Sequence, residues 1–215
     1  QLEVLKTGLP EYTVVGVGRE DGKTAGEYAP IFFKQAKYTL LDQNTFWLCE
    51  KPDSVGMVGW DAALTRIATW VKLQDKKTGQ ILMVVNTHFD HIGTEARRNS
   101  ALLIIEKIKE IVGTSPAILT GDFNVSEDWD AYKTITNNEF ILKDAHKVAG
   151  KRTGVDFTYH NFGKIPAEKC EKIDFIFVTP QIRVISSYIP FSQLNDTLFL
   201  SDHNPEIVEL EIEKS

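Results

Sequence analysis

Cysteine is scarce: Cys49 and Cys170 are the only two, far apart in the chain. That spacing forms no cysteine metal site and no disulfide framework of the kind that staples small secreted domains. Two free thiols and a single disulfide both remain open, and the compartment with them. No apolar run approaches the ~20 residues that a membrane-spanning helix needs. Gln1–Lys6 reads as the tail of an amphipathic helix, not as a signal peptide. Positive charge is in deficit, with 24 Lys and Arg against 30 Asp and Glu and a net charge of −6. Bulk electrostatic binding of long DNA or RNA needs the opposite balance, and no basic patch carries interleaved aromatics. A serine or cysteine nucleophile motif is missing too. So are internal repeats, low-complexity tracts and linkers, which leads us to expect one domain over residues 1–215.

Hydrophobic residues make up 42% and charged residues 25%, enough to build a core in a soluble α/β domain. Thr13–Gly18 reads as a first strand that closes into a polar, glycine-containing loop from Arg19 to Gly26. Glu27–Phe33 and Tyr38–Asp42 are expected to pair as a hairpin across the short Lys34–Lys37 connection. Residues Phe46–Leu48 form a further short strand or a packed loop, and Lys51–Gly59 a loop. Leu64–Gln74 and Gln80–Thr87 make a second hairpin around the Asp75–Gly79 turn. The period then changes to that of a helix from Thr94 to Val112. Ala101, Leu102, Ile104, Ile105, Ile108, Ile111 and Val112 share one face, Thr94 is the expected N-cap and Gly113 the expected stop. Ala117–Thr120 is a short buried strand between Pro116 and Gly121. Glu127–Asn138 is a second helix with Trp129, Tyr132 and Ile135 inward. Lys143–Lys164 is mostly polar loop. Lys172–Val178 is a buried strand with Arg183–Ile189 as its neighbour, and Glu206–Ile212 is a last strand.

The polar residues that interrupt this pattern gather at strand ends. Asp122 and Asn124 follow the Ala117–Thr120 strand, and a two-residue spacing there aims both side chains the same way. His88 ends the strand from Gln80. Asp174 sits between Ile173 and Phe175, where a carboxylate requires an imidazole or a metal as its partner. Asp202 and His203 precede the last strand. Each has a plainer explanation alone, a capped turn or a satisfied edge histidine, but one shared site accounts for all four. Carboxylate and carboxamide ligands suit hard cations such as Mg²⁺ or Mn²⁺. An imidazole adds a proton carrier near neutral pH. A metal and a base acting on water constitute metal-assisted phosphoester hydrolysis.

Asn86-Thr87-His88, Gly121-Asp122-Phe123-Asn124, Ile173-Asp174-Phe175 and Ser201-Asp202-His203, in this order, resemble the motifs of the endonuclease/exonuclease/phosphatase superfamily, from near Glu27 to the C-terminus. The resemblance implies a deoxyribonuclease I-like fold, a four-layered α/β sandwich of two mixed sheets flanked by helices, with the site at one end of the sheets. It also implies roles. Asp122 resembles the aspartate that positions or deprotonates the attacking water, and Asn124 the carboxamide on the scissile phosphate. His203 resembles the histidine that binds or protonates the phosphate, Asp174 the carboxylate that orients it, and His88 the second histidine on the phosphate. Asp202 resembles a metal ligand. Glu27 resembles the acid that pairs with His88, and Arg66, placed in the Leu64–Gln74 strand, a phosphate-facing arginine.

Members of that superfamily begin with a strand ending in Asn, a helix, and a strand ending in a metal-binding Glu, none of which stands before Gln1. The expectation is therefore an N-terminally incomplete chain that by itself binds Mg²⁺ weakly, has little activity and self-associates through exposed apolar surface. A small or lipid-derived phosphoester is favoured as substrate over long nucleic acid. A nuclease and a degenerate, non-catalytic phosphate-binding module are the alternatives. His88-Phe89-Asp90-His91 also resembles half of a zinc-hydrolase signature, but Asn86 occupies the place of its first histidine. Asp90 and His91 are expected at the rim of the phosphate site.

Overall fold

The computed structural model describes residues 1–113, 115–138, 140, 142–195 and 198–213. In chain order the first half runs α1 (Leu2–Gly8), β1 (Tyr12–Val15), β2 (Ile31–Lys34), β3 (Tyr38–Trp47), β4 (Ile67–Asp75), β5 (Ile81–His88), α2 (Thr94–Val112) and β6 (Ala117–Asp122). The second half adds α3 (Asp130–Thr136), β7 (Lys143–Asp144), α4 (Ala145–Val148), β8 (Lys151–Gly154), β9 (Asp174–Val178), β10 (Ile182–Ile189), β11 (Gln193–Asn195), β12 (Leu198–Phe199) and β13 (Ile207–Ile212).

A mixed six-stranded sheet in the order β3-β4-β5-β6-β9-β7 carries the molecule. Its strands alternate between two faces, as the two-residue side-chain period requires. Met83, Val85, Leu119, Phe175 and Phe177 point one way, into the main core with Ile104, Ile105 and Ile108 of α2 and Tyr132 and Ile135 of α3. The opposite face meets two smaller sheets. Ile31 and Phe33 of β2 cover Val71 and Leu73 there, and Val184 of β10 covers Leu82 and Val178. The α/β sandwich with mixed sheets is thus present, with the second strand layer in two pieces, β1-β2 and β13-β10-β8.

Several local expectations change. β2 pairs with β1, Val15 opposite Ile31, and not with β3. β3 instead continues to Trp47 and pairs along its length with β4. The reason is that Ile31 and Phe33 are buried by packing face to face on β4, which an apolar strand does as readily as edge pairing. β10 likewise packs across β9 instead of pairing with it, and its hydrogen-bonded neighbours are β13 and β8. The β4–β5 hairpin around Asp75–Gly79 forms as expected.

On α2, Leu102 is half-exposed, while Arg97 and Ser100 are buried. Thr94 is the first helical residue. The cap comes from the distant Asp61, whose carboxylate accepts from Glu95 N at 3.2 Å and Ala96 N at 2.7 Å. α3 is shorter than Glu127–Asn138, and Trp129 lies before it, exposed and not inward. Residues 143–164 contain β7, α4 and β8 in addition to loop. Both cysteines are free thiols.

Candidate active site

Strands β5 and β6 run parallel, and both end at the same edge of the sheet. Register then decides what stands there. His88 is opposite Asp122, and Asp122 is opposite Asp174 on antiparallel β9, so the three form one row across β5, β6 and β9. All three lie on the face away from the aromatic core. Gly121 permits this row: a Cβ there would stand 2.2 Å from Thr87 O, so any larger residue would push β5 and β6 apart.

The row is joined by direct contacts. His88 Nε2 lies 3.3 Å from Asp122 Oδ2. His203 reaches in from the loop before β13, with Nδ1 2.7 Å from Asp174 Oδ2 and Nε2 4.0 Å from Asp122 Oδ2. The partner that Asp174 requires is therefore His203. Tyr159 packs against the His203 ring, with centroids 4.9 Å apart. Asn124 adopts a left-handed conformation at φ 49°, which Asn tolerates better than most side chains. Its amide donates to Asp122 Oδ1 at 2.9 Å, and its Nδ2 donates to Phe89 O at 3.0 Å. Asp202 adjoins His203, on which its charge acts, but its carboxylate accepts from Ser201 Oγ at 3.3 Å and stands outside the cluster of metal-binding atoms that Asp122, Asp174 and His203 form. A cavity of about 400 Å³ opens along the row, with His88, Asp122, Asp174, Asn86 and Tyr28 in its wall.

Burial sets the charge states. It pulls His88 down to about 4, with the Arg66 guanidinium acting the same way, so the ring is neutral at pH 7. Burial and then the neighbouring Asp174 push Asp122 up to about 6, against the pull of the Asn124 amide and His203. Burial works against charge on His203, yet its hydrogen bond to Asp174 and the surrounding carboxylates hold it above its ordinary value. An imidazole whose charged form Asp174 favours and an ionisable carboxylate thus stand side by side, the arrangement of a base paired with an oxyanion donor.

Arg66 lies just before β4 and not within it. It is buried, with Nε 3.4 Å from Asp90 Oδ2, Nη2 3.0 Å from His91 Nδ1, and Nη1 without a partner. Asp90 is buried as well, which favours its neutral form, but the amides of Gly93, Ile92, Ala63 and Leu64 overcome this and hold it well below the usual carboxylate range. Glu27 is expected to pair with His88; its charge acts on that ring and the two line one cavity. Its direct partner, however, is Nη1 of Arg19, a residue that sequence reasoning left in a polar loop. Arg19 is itself fixed at both ends of its peptide unit, its amide donating to Glu27 O and its carbonyl accepting from Trp47 Nε1. The only signal for it in the sequence was the pair of glycines, Gly18 and Gly26, that bracket its loop.

Among the described residues, Asp122, Asp174 and His203 bring metal-binding atoms within 4.8 Å of one another. Asp174 Oδ2 engages His203 Nδ1, which leaves the other carboxylate oxygens and, on a neutral ring, His203 Nε2 as donors, a set with the oxygen ligands that a hard divalent cation takes. Burial first and the Asp174 charge second raise Asp122, and a bound cation would oppose both.

Known proteins share this architecture. A solved endonuclease/exonuclease/phosphatase from Bacteroides vulgatus is 64% identical, with a TM-score of 0.95 over 99% of this chain and 80% of its own. The mannosyl-6-phosphatase of Bacteroides thetaiotaomicron is 37% identical, with a TM-score of 0.91 over 98% of this chain and 81% of its own. An uncharacterized protein, L388, of Acanthamoeba polyphaga mimivirus is 30% identical over 220 residues, 98% of this chain and 80% of that protein. Residues 11–203 match the model of the Endonuclease/Exonuclease/phosphatase family, whose members hydrolyse phosphoester bonds, and the chain belongs to that family.

Proposed function

We propose that the protein is a divalent-metal-dependent hydrolase of small phosphomonoesters acting by direct attack of water. The observation that carries this reading is the single row of His88, Asp122 and Asp174 closed by His203. Asp122 orients the water and takes its proton, for which its position near pH 6 suits it. His203, held by Asp174 and charged, donates to a phosphoryl oxygen and then to the leaving oxygen. Neutral His88 and the Asn124 carboxamide donate to the remaining phosphoryl oxygens. Arg66 and Arg19 add positive field behind them, Arg66 through its unpartnered Nη1. Asp122 and Asp174 would hold Mg²⁺ or Mn²⁺, which supplies charge neutralisation at the phosphoryl oxygens when bound.

A small molecule is favoured over long nucleic acid by the net charge of −6, and a monoester by similarity at 37% identity to a mannosyl-6-phosphatase. The test is hydrolysis by the intact protein, with and without Mg²⁺, of a hexose 6-phosphate, mono- and bis-(p-nitrophenyl) phosphate, an inositol phosphate, sphingomyelin and plasmid DNA. Mg²⁺-dependent release of phosphate from monoesters, abolished by His203→Ala, is the expected result. Turnover of DNA alone makes the protein a nuclease, and full activity of His203→Ala overturns the mechanism.

A further inference from the structure

Helices α2 and α3 follow β5 and β6 and pack on the core face of the sheet, so both begin at the end of the sheet where His88 and Asp122 stand on the other face. Between their first turns lies a cavity of about 290 Å³, separate from the phosphate site and lined by Thr94, Arg97, Arg98, Asp128, Trp129 and Asp130. Its volume suits a single sugar ring. Trp129 is 42% exposed, unusual for the largest side chain at a position whose pattern reads as inward. The Arg97 guanidinium lies against its ring, 4.9 Å from the centroid. Arg97 is 5% exposed, and its Nε has no partner. Arg97 Nη1 donates to Asp90 O at 2.9 Å, while Asn124 Nδ2 donates to Phe89 O. Two consecutive carbonyls therefore tie the cavity wall to the phosphate-contacting carboxamide.

We propose that this cavity is the subsite for the sugar ring of a sugar phosphate, with Trp129 as its stacking platform. This rests on the phosphomonoesterase reading above. An indole supported by a cation presents an apolar face to the C–H face of a sugar ring. Arg98, Asp128 and Asp130 ring the opening with the donors and acceptors that hydroxyls require. The two carboxylates also disfavour a nucleic acid strand, whose phosphates they repel.

Two measurements on the intact protein test this. The first is tryptophan fluorescence titrated with a hexose 6-phosphate, a mononucleotide and inorganic phosphate, in the wild type and Trp129→Phe. The hexose phosphate is expected to change the emission by an amount that Trp129→Phe loses, and inorganic phosphate is not. The second is the preference, in kcat/KM, for a hexose 6-phosphate over glycerol phosphate. Trp129→Ala is expected to reduce this preference about tenfold, the size of one lost aromatic contact, and Trp129→Tyr to recover most of it. An unchanged preference in Trp129→Ala, or an emission change that survives in Trp129→Phe, overturns the subsite. A mononucleotide that perturbs Trp129 more strongly than the hexose phosphate overturns its assignment to a sugar. If no ester is hydrolysed, the phosphatase reading fails while the fluorescence titration still decides the subsite.

Discussion

Asp122 and Asp174 are register partners across β6 and β9, and they share one imidazole. His203 presents Nδ1 to Asp174 at 2.7 Å and Nε2 to Asp122 at 4.0 Å. Two half-buried carboxylates this close repel one another, and His203, when protonated, is the cation that makes the pair tolerable. Replacing Asp174 by Asn removes the charge that holds His203 protonated. We expect kcat to fall about 100-fold or more and the alkaline limb of the rate profile to move to lower pH. A fall in kcat with an unmoved limb would mean that Asp174 is structural only.

The pH dependence follows from the same pair. Asp122 must be ionised to accept a proton from water, and it ionises at about 6. His203 must be charged to serve the phosphate, and its range is raised above the ordinary value. The Asp122 value holds without a bound cation; Mg²⁺ on the carboxylate pair lowers it, so the acidic limb of kcat/KM should lie at or below about pH 6 and move down as Mg²⁺ is raised, with an alkaline limb where His203 loses its proton. An acidic limb that does not move with Mg²⁺ concentration contradicts this assignment of Asp122.

Stability should respond in the opposite sense to activity. Asp122 binds a proton up to about pH 6 in the folded chain but only to about 3.9 when unfolded. Between those values the native state holds the extra proton, so stability declines as pH rises through the window. Two pKa units correspond to about 3 kcal/mol as an upper bound. Asp122→Asn should therefore raise the melting temperature by several degrees at pH 7.5, at roughly 2–4 °C per kcal/mol, and by little at pH 4. It should abolish the Mg²⁺-dependent turnover at pH 7.5. Calorimetry that finds equal shifts at the two pH values would refute the buried-carboxylate account.

Asp90 anchors a different part of the site. It accepts from Ile92 N, Gly93 N, Leu64 N and Arg66 Nε, and the Arg66 charge is buried with it. Asp90→Ala leaves that guanidinium without its counter-ion, at a cost on the order of 3 kcal/mol. The expected result is a melting temperature lower by several degrees and a raised KM, as Arg66 loses its fixed position. A variant with unchanged melting behaviour would show that Asp90 does not carry Arg66.

Much of the site was legible because its residues break strong local patterns. Asp174 interrupts an apolar strand, and that conflict called for the partner that His203 supplies. Asp122 and Asn124 announced themselves at a strand end bounded by Gly121. What the sequence could not show depends on contacts between distant segments. Glu27 turns to Arg19 because their loop is folded by its own backbone hydrogen bonds, such as Gly18 N to Lys23 O and Glu20 N to Ala25 O. Asp61 caps a helix more than thirty residues on. Ile31 and Phe33 carry an apolar alternation that serves face packing as well as hairpin pairing. Trp129 fits a helical face by spacing, but the helix starts one residue later and leaves it outside.

The most direct measurement is a double-mutant cycle on Asp122 and His203 in the intact protein, following Mg²⁺-dependent phosphate release from a hexose 6-phosphate. If the row acts as one machine, Asp122→Asn and His203→Ala each remove most of the activity, and the double variant is hardly slower than the worse of the two. Full activity in either single variant, or losses that multiply independently, would contradict it.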